Sequence, residues 1–326
     1  MKVLLTGASG FVGSHILDSL CCRKIDTAIL LRNTSGTRFL EPHLRKVEVR
    51  RGSVEDPQSL RQAAAGVSHV VHCAGRTKTL KVRDFYQANQ LGTRNVVQAI
   101  NSQAPKLERF IHISSLAAAG PATPDKPALE DEPPRPVSHY GKSKLAAELE
   151  LREGCRVPFT IIRPPAVYGP RDQGFLSMFK AVHHHLLPRP NRAQALSLVY
   201  VKDLAEAVVA CLDSPAAAGQ TYFVSSPEIV TGRAVAEEIA AQANRWTVPC
   251  PIPSWVLWAV CLFQQVISQL TRRASLLNLQ KFAELRAPGW VCSPVKYQKE
   301  IGVACSTTLK QGVALTLDWY RREHWL

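Results

Sequence analysis

Apolar and polar positions in the first half of the chain switch back and forth between two periods. The short runs KVLLTG, DTAILLRN, KVEVRRGSV, SHVVHCAG, RFIHISS and FTIIRP are rich in Val, Ile, Leu and Thr and read as strands. Between them, residues 13–22, 57–65, 84–102 and 138–152 carry helical patterns. Strands alternating with helices predict an α/β fold, a parallel, doubly wound sheet of the Rossmann type. Right-handed crossovers would gather its loops in one crevice at the carboxyl ends of the strands.

Past residue 166 the alternation loosens. SLVYVKDLAEAVVACL predicts a strand and a helix, TYFVS another strand, and the remainder is mainly helical. The expected division is a Rossmann domain over 1–170 and a smaller, mainly helical region over 171–326. The second would interleave with the first through strands near 197–201 and 221–225. Residues 121–137, PATPDKPALEDEPPRPV, read as a Pro-rich acidic surface loop, and Glu130, Asp131 and Glu132 as its solvated face.

The stretch PSWVLWAVCLFQQVISQL, 253–270, needs a membrane check. Its uninterrupted apolar part, 255–263, falls short of the roughly 20 residues that span a bilayer. Trp255, Trp258, Ala259, Leu262, Phe263, Val266, Ile267 and Leu270 recur at helical spacing. The first expectation is a helix packed into the protein core by this stripe. A greasy substrate lid, a dimer contact and a membrane-surface anchor are the alternatives.

Composition narrows the class. With 326 residues, 46% hydrophobic and 20% charged, the chain is an ordinary soluble globular protein. The formal net charge is +14, but Lys and Arg are scattered rather than clustered, which argues against nucleic-acid binding. A basic surface suits an anionic cofactor, an acidic substrate or an anionic membrane face. The nine cysteines include no C-x-x-C and no metal-like spacing, so free thiols and a cytoplasmic location are expected. Residues 1–6 already read as a strand, without the pattern of a signal peptide. His183, His184 and His185 are consecutive and would point in different directions on a helix, so no metal site is expected.

The chemistry starts at TGASGFVG, where Gly7, Gly10 and Gly13 sit three apart between a strand and a helix. Glycine permits a tight turn and close approach of a pyrophosphate, and the helix N-terminus offers free N–H groups to phosphates. In NAD sites a carboxylate about 20 residues further on holds the ribose 2′-OH. Here the second strand ends in Arg32 and Asn33. An arginine suits a 2′-phosphate, so NADP is expected, with NAD the alternative.

HYGKSK, 139–144, places Tyr140 and Lys144 four apart on one helix face, with Pro136 and Ser138 where a helix would begin. A free phenol, with a pKa of about 10, is a poor proton carrier at neutral pH. A neighbouring ammonium and an oxidised nicotinamide both favour the phenolate, making the pair a workable acid/base for a ketone or carbinol. HISSLAAAG, 112–120, ends a strand at the carboxyl edge, where a serine hydroxyl can meet a substrate oxygen.

TGASGFVG, VVHCAG, QANQLGTRNVV, HISSLAAAG, YGKSK and RPPAVYGP stand in the order of the extended short-chain dehydrogenases/reductases, which the chain resembles over nearly its whole length. That group includes sugar epimerases and dehydratases, 3β-hydroxysteroid dehydrogenases and dihydroflavonol-type reductases. SLVYVKDLAEA and the closing KYQKEIGVACSTTLKQGVALTLDWYR also look like the family's pattern. The resemblance implies that Gly7, Ser9, Gly10, Phe11 and Val12 form the pyrophosphate turn. It puts Ser53 and Val54 beside adenine, Ser53 standing where the family often has Asp, and runs Ala74 and Gly75 under the cofactor. It makes Asn89 the helix asparagine, Ser115 the catalytic serine with Ser114 its neighbour, Tyr140 the proton donor/acceptor and Lys144 the ribose ligand. Pro164 and Val167 would flank the carboxamide. A homodimer through the YxxxK helix is implied as well.

The residues then favour an NADP-dependent oxidoreductase that interconverts a ketone and a secondary alcohol, with the apolar stretch 246–270 suggesting a hydrophobic substrate. A sugar-nucleotide epimerase is the alternative, with Arg171, Arg189 and Arg192 as candidate diphosphate ligands. The acidic pair of a dehydratase is missing, since Ser114 precedes Ser115. A non-catalytic NADP sensor or scaffold would be favoured by loss of Tyr140 or Lys144, and both are present.

Overall fold

The computed structural model describes residues 1–190, 194–271 and 279–326. Arg192 lies outside them. The large sheet contains β1 (Lys2–Thr6), β2 (Asp26–Leu31), β3 (Glu48–Arg51), β4 (His69–His72), β5 (Arg109–Ile113) and β6 (Phe159–Arg163). In sequence there follow β7 (Ala166–Tyr168), β8 (Leu186–Pro190), β9 (Ala195–Tyr200), β10 (Thr221–Phe223), β11 (Ile229–Thr231), β12 (Val248–Ile252) and β13 (Gly289–Trp290). The seven-stranded sheet runs β10-β6-β5-β4-β1-β2-β3, parallel throughout.

Successive residues of these strands point to opposite faces, and each face has its own core. Val3, Leu5, Ile29, Val71 and Ile111 pack under the helices Phe11–Cys22 and Val201–Asp213. Leu4, Leu30, Val70, Phe110 and Ile161 pack under Pro57–Ala64, Gly92–Gln103 and His139–Gly154. A parallel sheet covered on both sides explains why its strands read as unbroken apolar runs.

Residues 1–170 do not complete the Rossmann unit. Its edge strand is β10, one covering helix is Val201–Asp213, and Tyr297 and Cys305 are buried in the same core. A smaller sheet, β11-β9-β13 with β7 paired to β9, carries the other region, and β12 pairs with β8. That region's core joins Phe179, Ile239 and Tyr320, the last from helix Leu309–Arg322 with its capping box at Thr308.

Two elements depart from the sequence reading. The single helix expected over 84–102 breaks into Val82–Phe85, a π-helical turn Tyr86–Leu91 and Gly92–Gln103. The expectation that the 253–270 stripe packs into the core is overturned. Helix Ser254–Thr271 turns the stripe outward, leaving Trp255 72%, Phe263 64% and Leu270 79% exposed. The side turned inward holds Cys261 and Ser268, both buried. Gln265 on that side accepts a hydrogen bond from Leu279 N of the next helix, Leu279–Leu285 (3.3 Å). Among the described residues no helix is long and apolar enough to cross a membrane.

Candidate active site

The glycine turn is built by contact. Gly7 sits at φ +77°, and a Cβ there would lie 2.6 Å from Ala74 N. A Cβ on Gly13 would lie 2.1 Å from Gly7 O, so the helix start presses directly onto the turn. Gly10 caps that helix and donates to Gly7 O (3.0 Å), while a Cβ on Gly10 would meet nothing else within 4 Å. No side chain caps the helix, so its first N–H groups face an open cradle. Those features fit a dinucleotide pyrophosphate on Gly7, Ser9, Gly10, Phe11 and Val12.

Asn89 fastens the next loop. The π-helical turn brings it inside, where Oδ1 accepts from Arg76 N (2.7 Å) and Nδ2 donates to Arg76 O (3.1 Å) and Ser143 Oγ (2.8 Å). Its amide is therefore a clamp between Ala74–Gly75 and helix His139–Gly154. A Cβ on Gly75 would reach within 2.9 Å of Asn89 Oδ1. Below the loop, Ala74 N donates to Thr6 Oγ1 (3.2 Å), which pairs with His72 Nδ1 (2.7 Å).

The end of the cleft at Arg32 and Ser53 is more open. Arg32 and Asn33 are exposed just past β2, where Arg32 N donates to Ser35 Oγ (3.2 Å). Ser53 Oγ accepts from Glu55 N (3.2 Å), so its hydroxyl serves its own loop. Val54 O accepts from Asn95 Nδ2 (3.0 Å).

Helix His139–Gly154 starts at Ser138, whose Oγ accepts from Gly141 N (3.1 Å). A Cβ on Gly141 would sit 2.2 Å from Ala117 O, so the helix start abuts the short helix Leu116–Ala119. Ser115 caps that short helix, accepting from Ala117 N (3.1 Å), and its side chain is hydrogen-bonded to Tyr140. One turn on, Lys144 Nζ donates to Ile113 O (2.6 Å). The strand end thus holds serine, phenol and ammonium at one place.

Burial pushes the Tyr140 phenol up to about 12, against the opposing effect of its Ser115 hydrogen bond. Burial also lowers Lys144 to about 8, with Cys73 and Glu148 acting the other way.

The pattern of the NAD dependent epimerase/dehydratase family matches residues 3–225 of this chain. The chain belongs to that family. Its members are enzymes of the NAD(P)-dependent short-chain dehydrogenase/reductase type, and so is this protein. It is 30% identical over 335 residues to the ceramide reductase of Caulobacter vibrioides, covering 99% of this chain and 96% of that one. It is also 30% identical over 338 residues to an Escherichia coli protein, N-acetyl-alpha-D-glucosaminyl-diphospho-ditrans,octacis-undecaprenol 4-epimerase, covering 98% and 95%. The solved UDP-glucose 4-epimerase of Thermus thermophilus, in complex with NAD, aligns with a TM-score of 0.78 at 25% identity over 98% of this chain and 99% of that one.

This epimerase/dehydratase-family site has a rear wall that the sequence reading missed. Ser114 Oγ donates to Glu148, which also receives Arg163 through Nε (2.9 Å) and a terminal nitrogen (2.6 Å). All three are buried, so the Ser114 hydroxyl belongs to this network. Glu148 stands four residues after Lys144, a spacing that could have flagged it; Arg163, on β6, gave no such signal. Pro164 O accepts from Leu116 N (2.8 Å), holding the Ser115 turn, and Val167 lies in β7 opposite Val199. Glu284 of helix Leu279–Leu285 lies close enough to Tyr140 for its charge to favour the neutral phenol.

Proposed function

We propose that this enzyme is an NADP-dependent oxidoreductase that interconverts a ketone and a secondary alcohol on a hydrophobic substrate. The observation carrying the reading is the Ser115–Tyr140 hydrogen bond beside Lys144, at the carboxyl edge of the sheet and next to the Gly75 loop. The nicotinamide, when bound, supplies or accepts the hydride. Tyr140 gives its proton to the substrate oxygen during reduction and takes it back during oxidation. Ser115 donates a hydrogen bond to the same oxygen and orients it. Lys144 holds the cofactor ribose, and its charge steadies the phenolate that follows proton transfer.

Exposed Arg32 supports NADP, because a guanidinium pairs with a 2′-phosphate and there is no carboxylate at Arg32 or Asn33 to hold a 2′-OH. The hydrophobic substrate is supported by the outward apolar stripe of helix Ser254–Thr271 and by relatives named for ceramide and for an undecaprenol-linked sugar. The second of those relatives also favours 4-epimerisation as the other reading. Of the arginines considered for a diphosphate, Arg171 is paired with Asp18 (2.8 Å) and Arg189 lies 3.9 Å from Glu237.

The test is NADPH oxidation with long-chain ketones, run beside UDP-sugars. Ketone-dependent oxidation that disappears in Tyr140→Phe supports the reading. Sugar epimerisation without net NADPH consumption overturns it.

A further inference from the structure

Helix Ser254–Thr271 is built the wrong way round for a core helix. Its 18 residues contain no Asp, Glu, Lys or Arg. The large apolar side chains Trp255, Trp258, Phe263, Val266 and Leu270 face solvent, while Cys261, Gln265 and Ser268 face the protein. An outward apolar stripe of this length is costly in water unless something covers it. At about 1.5 Å per residue the helix is roughly 27 Å long, enough to lie along a surface.

The exposed apolar surface continues on the chain before it. Trp246 and Val248 are exposed, the Trp246 ring stacked on His185 at 4.1 Å. In sequence the stretch is basic: residues 245–286 contain five Lys or Arg and a single acid, Glu284, which is paired with Lys281. Exposed Arg245 opens the stretch and exposed Arg286 closes it, in a chain of net charge +14. Two copies meeting through this face would bring like charges together. An anionic headgroup layer would complement them, with tryptophans at the polar boundary where their rings are favoured.

The inner side of the same helix leads to the chemistry. It packs against helix Leu279–Leu285, whose Glu284 charge is felt at Tyr140 and favours the neutral phenol. The end of that second helix is pinned by Gln194 Nε2 to Glu284 O (3.0 Å) and Ala287 O (2.7 Å), and by Trp290 Nε1 to Glu284 O (3.0 Å). The apolar face is thus the outer side of a helix pair whose inner helix carries a charge felt at the catalytic phenol.

We propose that helix Ser254–Thr271 lies flat in the headgroup region of an anionic membrane, so that a lipid-borne substrate reaches Tyr140 from the bilayer side. The identity of the substrate rests on the reading of the reaction given above; the docking does not. The helix inserts its stripe without crossing, and the flanking arginines add an attraction that salt screens.

The experiment is co-sedimentation of the full chain with phosphatidylcholine vesicles, with and without phosphatidylglycerol, at low and high salt. Binding should require the anionic lipid, fall with salt, and shift tryptophan emission to the blue. The double variant Phe263→Ser, Leu270→Ser should lower partitioning about tenfold or more, and Arg245→Glu should weaken it at low salt only. Unchanged thermal unfolding and NADPH-induced stabilisation establish that each variant is folded. Wild-type protein that stays in the supernatant, or a double variant that binds equally well, overturns the proposal. So does a solution dimer that the double variant dissociates, which would make the face an interface between copies. Vesicle binding without ketone turnover would sink the proposed reaction and leave the docking standing.

Discussion

The Lys144 ammonium donates a 2.6 Å hydrogen bond to the carbonyl of Ile113, the last residue of β5. That bond ties the helix bearing Tyr140 to the strand end from which Ser114 and Ser115 emerge. It sets the distance between phenol and serine, and it keeps the ammonium within the wall of the cleft.

Tyr140→Phe removes the transferable proton and little volume. Turnover should fall by roughly 10²–10⁴-fold. NADPH-induced thermal stabilisation should stay near wild type, because the glycine turn and Asn89 loop are untouched. Steady-state kinetics beside a thermal-shift titration checks both halves.

Burial lowers Lys144 from its usual 10.5 to about 8. Between these values the unfolded chain binds a proton that the folded chain does not, so this group makes stability rise with pH from about 8 to about 10.5. Below about 8 both states are protonated and the cost is constant. Tyr140, raised to about 12, begins to contribute only above the ordinary phenol value of 10.0. Denaturant unfolding at pH 8 and pH 10 should give wild type a gain over Lys144→Met on the order of 1 kcal/mol. Parallel slopes for the two proteins would contradict it.

Arg32→Asp should reverse cofactor choice. Loss of one charge-assisted phosphate contact is worth about 1.5–3 kcal/mol, so NADPH affinity should drop roughly 10–100-fold while NADH improves. Dissociation constants for both cofactors decide it.

Glu148 and Arg163 form a buried pair with two hydrogen bonds. Arg163→Met strands a buried carboxylate and should cost about 3–5 kcal/mol in urea unfolding. Adding Glu148→Leu should recover much of that loss, since the apolar pair leaves no uncompensated charge. A double variant as unstable as the single one would show that the cost lies elsewhere.

What the sequence alone determined is what local pattern encodes. Parallel strands buried on both faces must be continuously apolar, so β1, β4, β5 and β6 were readable, as was the glycine turn, where Gly10 and Gly13 abut Gly7 within a few residues, although Gly7 itself abuts Ala74 far along the chain. Tyr140 and Lys144 were readable as a pair because one helix turn places them together. Tertiary structure decided the rest. Ser114 and Ser115 are neighbours, but a strand end sends one hydroxyl to Glu148 and the other to Tyr140. Arg163 joins them from β6, so the sequence between carries no trace of the contact. The stripe of helix Ser254–Thr271 was visible as a stripe, yet its direction was not. Periodicity says which residues share a face, and only the packing of the remaining face says whether that face looks in or out.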